Sequence, residues 1–231
     1  MLPEILRQTL FYVFSMTHLS MTSVYKFPAI KKLYDTKTSE GISLLSCIVD
    51  VYSQSIYLCY NLYRGYELMT FFDYVITDST VIIYLWQVLF YHKNLGLFGL
   101  QSILGHLGSV ALFYFAFSVP EIVSKIIFVS TICSMSGKIL QIIEIYRIAR
   151  LAKSKNDDSI LNKLKNNSQA SWLILMFTSS LKICIYLFLQ TNPVDGKLFF
   201  HSFSGLFMNG LVYFMLRVYT PRGEVESKKD N

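Results

Sequence analysis

The sequence predicts an all-α membrane protein, with seven transmembrane helices arranged as two parallel three-helix repeats joined by a linking helix. Three observations carry the helical membrane class, and a likeness between the ends of the first and fifth runs carries the repeat. Of the 231 residues, 53% are hydrophobic and the mean hydropathy is +0.42, more apolar surface than one soluble core can hide. The apolar residues gather in runs long enough to cross a hydrocarbon layer of roughly 30 Å as helices. Short basic gaps separate those runs, as in the loops of membrane proteins.

The runs cover residues 7–27, 42–62, 70–91, 96–117, 121–146, 169–190 and 198–219. Backbone groups in lipid need partners within their own segment, so each run is expected to be helical. A closed barrel would show many short alternating segments, and these are absent. Glu4 and Arg7 flank the first run, which continues to Lys26 without a small-residue cleavage site. It therefore reads as a membrane helix rather than a signal peptide. The third run carries Asp73 and Asp78 in its first half. In the fourth, Gly105 and Gly108 lack the four-residue spacing of a helix-pairing seam. The expected division is a first repeat over 1–95, a linking helix over 96–120, a second repeat over 121–220 and a cytosolic tail over 221–231.

The net charge of +6 does not point to nucleic acid, because most basic residues lie in the gaps. The gaps after the first, third and fifth runs and the tail, with Lys26 and Arg217 at the adjoining run ends, hold fifteen Lys and Arg, against four on the opposite side (Arg7, Arg64, Lys125 and Lys197). That imbalance places the N-terminus in a lumen and the C-terminus in the cytosol. On the cytosolic side the sequon Asn166-Asn167-Ser168 is expected to stay unused, and its glycosylation would invert the topology. Lys228 and Lys229, four and three residues from the end, read as a dilysine address. Such a signal returns membrane proteins to the endoplasmic reticulum through the coat-protein retrieval machinery, and is an address rather than an anchor.

Catalysis finds no support, since nucleophile elbow, phosphate loop, HExxH and EF-hand patterns are all missing. Cys47, Cys59, Cys133 and Cys184 each sit inside an apolar run, read as small hydrophobes rather than metal ligands. No cofactor is expected.

The ends of the first and fifth runs are alike. Lys26-Phe27-Pro28-Ala29-Ile30-Lys31-Lys32-Leu33-Tyr34, followed by Ser39-Glu40-Gly41-Ile42-Ser43-Leu44, compares with Gly137-Lys138-Ile139-Leu140-Gln141-Ile142-Ile143-Glu144-Ile145-Tyr146-Arg147. With these residues the chain resembles the PQ-loop family, which shares its architecture with the SWEET sugar transporters and the KDEL receptors. The family mark is Pro-Gln near the cytosolic end of helices 1 and 5, with a downstream Ser-x-Gly-hydrophobic-Ser run. Each dipeptide is half kept here, as Pro28-Ala29 and Leu140-Gln141, in motif regions over 26–44 and 137–147. Tyr63-Arg64-Gly65-Tyr66, the run from Thr70 to Tyr74, Ser136-Gly137-Lys138 and Thr191-Asn192 resemble the branch of PQ-loop repeat-containing protein 3 and, beside it, the mannose-P-dolichol utilization defect protein.

The resemblance implies an endomembrane small-solute transporter, working down or against a proton gradient, with membrane lipids, an amino acid or sugar-like solute and protons as partners. The alternative is a non-transporting factor for the use of dolichol-linked sugars. Polar residues inside the spans are the candidate cavity: Asp50, Asp78, Lys138, Gln141, Lys182 and Asn209. Each charge costs at least roughly 2.5–3.5 kcal/mol at mid-bilayer, so a cavity or a partner is expected. A carboxyl group there is carried more cheaply neutral than charged. Asp50 with Lys138 or Lys182 reads equally as a fixed pair between helices. Asp73 and Lys182 are expected to snorkel, and His18, His106 and His201 to serve packing. Pro28 removes a backbone hydrogen bond and is the expected hinge, next to Gly41 of the motif.

Overall fold

The computed structural model describes residues 3–63, 68–92, 97–118, 120–185, 187 and 196–220. Eight α-helices lie among them: α1 Glu4–Val24, α2 Phe27–Thr36, α3 Leu44–Tyr63, α4 Leu68–Tyr91, α5 Leu97–Ala116, α6 Pro120–Lys155, α7 Gln169–Cys184 and α8 Gly196–Tyr219. A 3₁₀ helix over Asp158–Asn166 joins α6 to α7, and the described residues contain no strand. Arg64, Gly65, Tyr66, Lys93, Thr191, Asn192, Lys228 and Lys229 fall outside the described residues.

The polarity of the bundle is reversed relative to a water-soluble protein. Leu112, Phe115, Phe207 and Phe214 face outward, while Ser53, Ser55, Asn61, Ser130, Thr131 and Gln141 are buried. Lipid solvates apolar side chains and gives hydroxyls and amides nothing to bond, which drives them inward. Among the described residues α4, α6 and α8 contain windows long and apolar enough to cross a membrane. α3 falls below that mark by composition, because its inner face carries Asp50, Ser53, Gln54, Ser55 and Asn61. α7 falls below it by length.

The packing has a matched pattern. α1 touches α4 and α7, α6 touches α8 and α3, and α3 packs on α4 as α7 packs on α8. α5 lies outside, against α3. The α3–α6 seam is close and polar: Ser53 and Ser130 each donate to the other's carbonyl, at 3.1 and 3.0 Å. Tyr57 and Thr131 share a 2.7 Å hydroxyl contact. At Gly137 an added Cβ would meet the Ser46 carbonyl at 3.3 Å, so a small residue permits this approach.

Two sequence boundaries need correction. The first run does not end in one helix at residue 27. α1 stops at Val24, two residues turn at Tyr25 and Lys26, and α2 begins with Pro28 in its first turn. Pro28 has no N–H for the Val24 carbonyl, which accounts for the break. The corresponding Leu140 keeps its N–H, and α6 runs unbroken to Lys155, well past residue 146. Lys26, assigned to a basic gap by its neighbours in sequence, is only 9% exposed and lies within the bundle.

α2 ends at Lys37 in the left-handed region (φ 54°), with its N–H on the Leu33 carbonyl at 2.9 Å. The chain then turns at Gly41, whose φ of +87° favours glycine. A Cβ there would stand 2.3 Å from the Lys163 carbonyl oxygen, so the turn is pressed against the 3₁₀ helix. We expect Gly41→Ala to combine a left-handed cost of about 1–2 kcal/mol with a backbone clash, for a loss above about 2 kcal/mol. Thermal unfolding of the detergent-solubilised protein measures it, and an unchanged Tm would contradict the close approach.

Candidate functional site

Two adjoining cavities lie between the α1–α3–α4 group and the α6–α7–α8 group, with volumes of about 40 and 100 Å³. They share Asp50, Lys138, Trp172 and Leu175 as a common wall, and the two together are the polar channel between the groups. Each candidate side chain is placed by a local rule of the chain. Ser43 caps α3 by accepting from the Ser46 N–H at 3.2 Å, and Ser168 caps α7 by accepting from the Ser171 N–H at 3.3 Å. These caps set the register that turns Asp50 and Leu175 into the channel. The break at Tyr25 and Lys26 turns Lys26 in from the other side.

Asp50 is held by two lysines from different segments, the turn after α1 and the helix α6. Its Oδ1 lies 3.4 Å from Lys138 Nζ and its Oδ2 lies 3.7 Å from Lys26 Nζ. Lys138 also donates to Ser134 Oγ at 2.9 Å, and the Lys26 ammonium sits 4.6 Å from the Tyr84 ring centre. Of the two pairs expected for Asp50, the structure forms the one with Lys138. Lys182 instead makes a buried salt bridge with Asp73, over the face of Tyr74 at 4.0 Å, with His18 Nδ1 3.9 Å from the same carboxylate. Asp73 and Lys182 therefore face each other inside the bundle rather than reaching for its surface. His18 and Lys182 both line the larger cavity.

Gln141 is 3% exposed and ties three segments together. Its Nε2 donates to the Gly41 carbonyl and to Asn167 Oδ1, both at 3.2 Å, and its Oε1 accepts from the Ser43 N–H at 3.1 Å. Asn167 Nδ2 donates to the same Gly41 carbonyl at 2.6 Å, and Asn166 Nδ2 donates to the Glu40 carbonyl at 2.7 Å. The Asn166 amide is thus buried and bonded in the fold. The sequon is sheltered by packing, whichever face of the membrane it occupies.

Asp78 lines neither cavity. Ser55, on the side of α3 away from Asp50, donates to Asp78 Oδ1 at 2.9 Å and meets His106 Nε2 at 3.1 Å. Asp78, Ser55 and His106 thus form a hydrogen-bonded row linking α4, α3 and α5. His106, expected to serve packing alone, belongs to it. Asn209 lines the larger cavity at 3% exposure, and its Oδ1 has no hydrogen-bond partner. Thr22 Oγ1 and His201 Nδ1 are also buried without a partner in the same wall, and Ser171 Oγ is so in the smaller cavity. Buried polar atoms are normally satisfied, and these orphans are closed off even from the cavities their residues line, so a side-chain or helix movement is needed before water or a solute can bond them. Pro28 lines neither cavity, but its neighbour Ala29 does.

Sequence reasoning missed Lys26, Thr22, His18, His201 and Asp73. A signal existed for Lys26: it stands three residues before Ala29, as Lys138 stands three before Gln141. The others carry no local pattern, since only the bundle brings them together.

Removing one member of a buried ion pair strands the other. Lys182→Met is expected to destabilise by roughly 3–5 kcal/mol, whereas Asp73→Asn with Lys182→Met, which leaves no bare charge, costs less than the single change. Thermal unfolding of both variants checks this; equal losses would mean the pair is not isolated from water.

Compared with known families, residues 10–69 match the model described as PQ loop repeat. No curated protein and no solved structure matches the chain. The matched segment spans α1, α2, the Gly41 turn and α3, the elements that carry Lys26 and Asp50. Apolar helices and this repeat together mark an integral membrane protein, and the match supports the PQ-loop family.

Proposed function

We propose that the chain is a small-solute transporter of the PQ-loop type, in which α1, α3 and α4 face α6, α7 and α8 as two parallel repeats around the axial channel. The observation that carries the reading is the cluster of unpartnered buried polar atoms, Thr22 Oγ1, His201 Nδ1 and Asn209 Oδ1, in the wall of the larger cavity. A static bundle leaves that desolvation cost uncompensated, whereas a movement that opens the cavity would expose these atoms to a solute or its hydration water. The matched contacts of the two groups support the repeat, and α5 takes the place of the linking helix. Seven spans, counting α1 with α2 as one, put the two ends of the bundle on opposite faces, and the excess of Lys and Arg puts the α1 end in the lumen.

Two further features fit transport. The Gln141 clamp on Gly41 and Asn167 closes the channel at the end of α2, where the Pro28 break gives a place to bend. The Asp78–Ser55–His106 row offers a proton site that is separate from the solute cavity but shares α3 with it. Proton occupancy of Asp78 would be read at Asp50 through the same helix.

Purified protein in liposomes, offered labelled amino acids, sugars and small carboxylic acids with an acidic exterior, tests the proposal. Asn209→Leu is expected to lower uptake about tenfold, the loss of one or two hydrogen bonds to a bound solute. Asp78→Asn is expected to leave uptake at neutral pH within about threefold and to abolish its acid stimulation. Folded protein that carries no solute would remove transport in favour of the lipid-linked sugar factor.

A further inference from the structure

Two lysines and one carboxylate meet where the two cavities join. Lys26 and Lys138 hold the same place in their motifs, and both ammonium groups reach Asp50. The position equivalent to Asp50 in the other group follows from the caps: Asp50 lies seven residues beyond the cap Ser43, and Leu175 seven beyond the cap Ser168. The same matching pairs Ser46 with Ser171 and Cys47 with Trp172, and all four line the smaller cavity. The walls are therefore built from equivalent positions. Where a second carboxylate would stand against the second lysine, the chain has Leu175.

The charges around the junction do not balance. Asp50 is shared at 3.4 and 3.7 Å, longer than the roughly 2.7–2.9 Å of a committed ammonium–carboxylate bond. The other carboxylates are engaged elsewhere: Asp73 with Lys182, and Asp78 with Ser55 on the far side of α3. An uncompensated ammonium inside a membrane is costly, and a site that carries one favours whatever neutralises it.

We infer that the transported solute is a small organic monoanion, whose carboxylate binds between Lys26 and Lys138 on the Leu175 side of the channel. This rests on the transport reading and names its substrate class. The carboxylate supplies the acceptors that Leu175 does not, and releases each lysine from sharing Asp50. Leu175 and the Trp172 ring face the solute's apolar part. A cationic solute meets two ammonium groups at the same point and is rejected.

The test uses the full-length protein in chloride-free sulfate buffer. Binding of lactate, pyruvate and butyrate, each against its neutral amide, is read by thermal shift and by uptake into liposomes. At least one carboxylate is expected to bind about tenfold more tightly than its amide. Leu175→Asp, which supplies the second carboxylate from the chain, is expected to lose that binding about tenfold or more, a larger loss than Leu175→Asn gives. If Leu175→Asp fails to fold, Lys26→Gln reports instead, and is expected to lose carboxylate binding to the same extent. Uptake of neutral or cationic solutes with carboxylates ignored overturns the monoanion assignment and leaves transport standing. Stabilisation by added chloride with no response to any carboxylate overturns the organic solute. A folded protein that neither binds nor carries any of the solutes, charged or neutral, removes both readings.

Discussion

Lys26, in the turn after α1, and Lys138, on α6, both reach Asp50, and this three-way meeting sets the arrangement around it. In a lipid-solvated bundle a buried charge has no water to fall back on, so its partners must converge from separate elements. α3 brings Asp50, the turn after α1 brings Lys26, and α6 brings Lys138. Their convergence requires α3 and α6 to pack closely, which Gly137 and the reciprocal Ser53–Ser130 bonds allow. The second buried pair, Asp73 with Lys182, repeats the device at the other end of the larger cavity.

The two motif regions divide the labour between bending and holding. Pro28 interrupts the helix and leaves α2 as a separate piece; Leu140 lets α6 continue through the corresponding place. Gln141 reaches across to the Gly41 turn, while Ala29, in the matching position, is too short to reach anything and leaves open space at the smaller cavity. One region has the break and no clamp, and the other has the clamp and no break. A change of shape at the α2 end therefore falls on the Pro28 side, where fewer hydrogen bonds need to be exchanged.

The proposed function rests on separating these polar tasks in space. The row Asp78–Ser55–His106 lies on the side of α3 away from the channel. The orphaned atoms of Thr22, His201 and Asn209 lie within the channel. α3 carries Ser55 of the row and Asp50 of the channel wall, so a rotation or tilt of that one helix alters both. This gives a physical route for coupling two sites without any residue belonging to both.

The helical class and the approximate helix positions were legible in the sequence, because 3.6-residue helices and the bilayer thickness leave few other solutions for long apolar runs. The motif also located Pro28, Gly41 and Gln141, whose roles in a break, a left-handed turn and a clamp follow from local chemistry. Pairing was beyond its reach. Lys26 reads as a loop lysine until the break at Tyr25 and Lys26 turns it inward, and Asp73 and Lys182 read as surface-seeking until α4 and α7 bring them together. Asp78 was legible as a buried carboxyl, but only tertiary structure decided that it faces Ser55 and His106 rather than the channel. The chain by itself determined which groups must be hidden from lipid. The packing of helices distant in sequence decided which partner each one found, because an ion pair or hydrogen bond depends on a few ångströms that no local spacing sets.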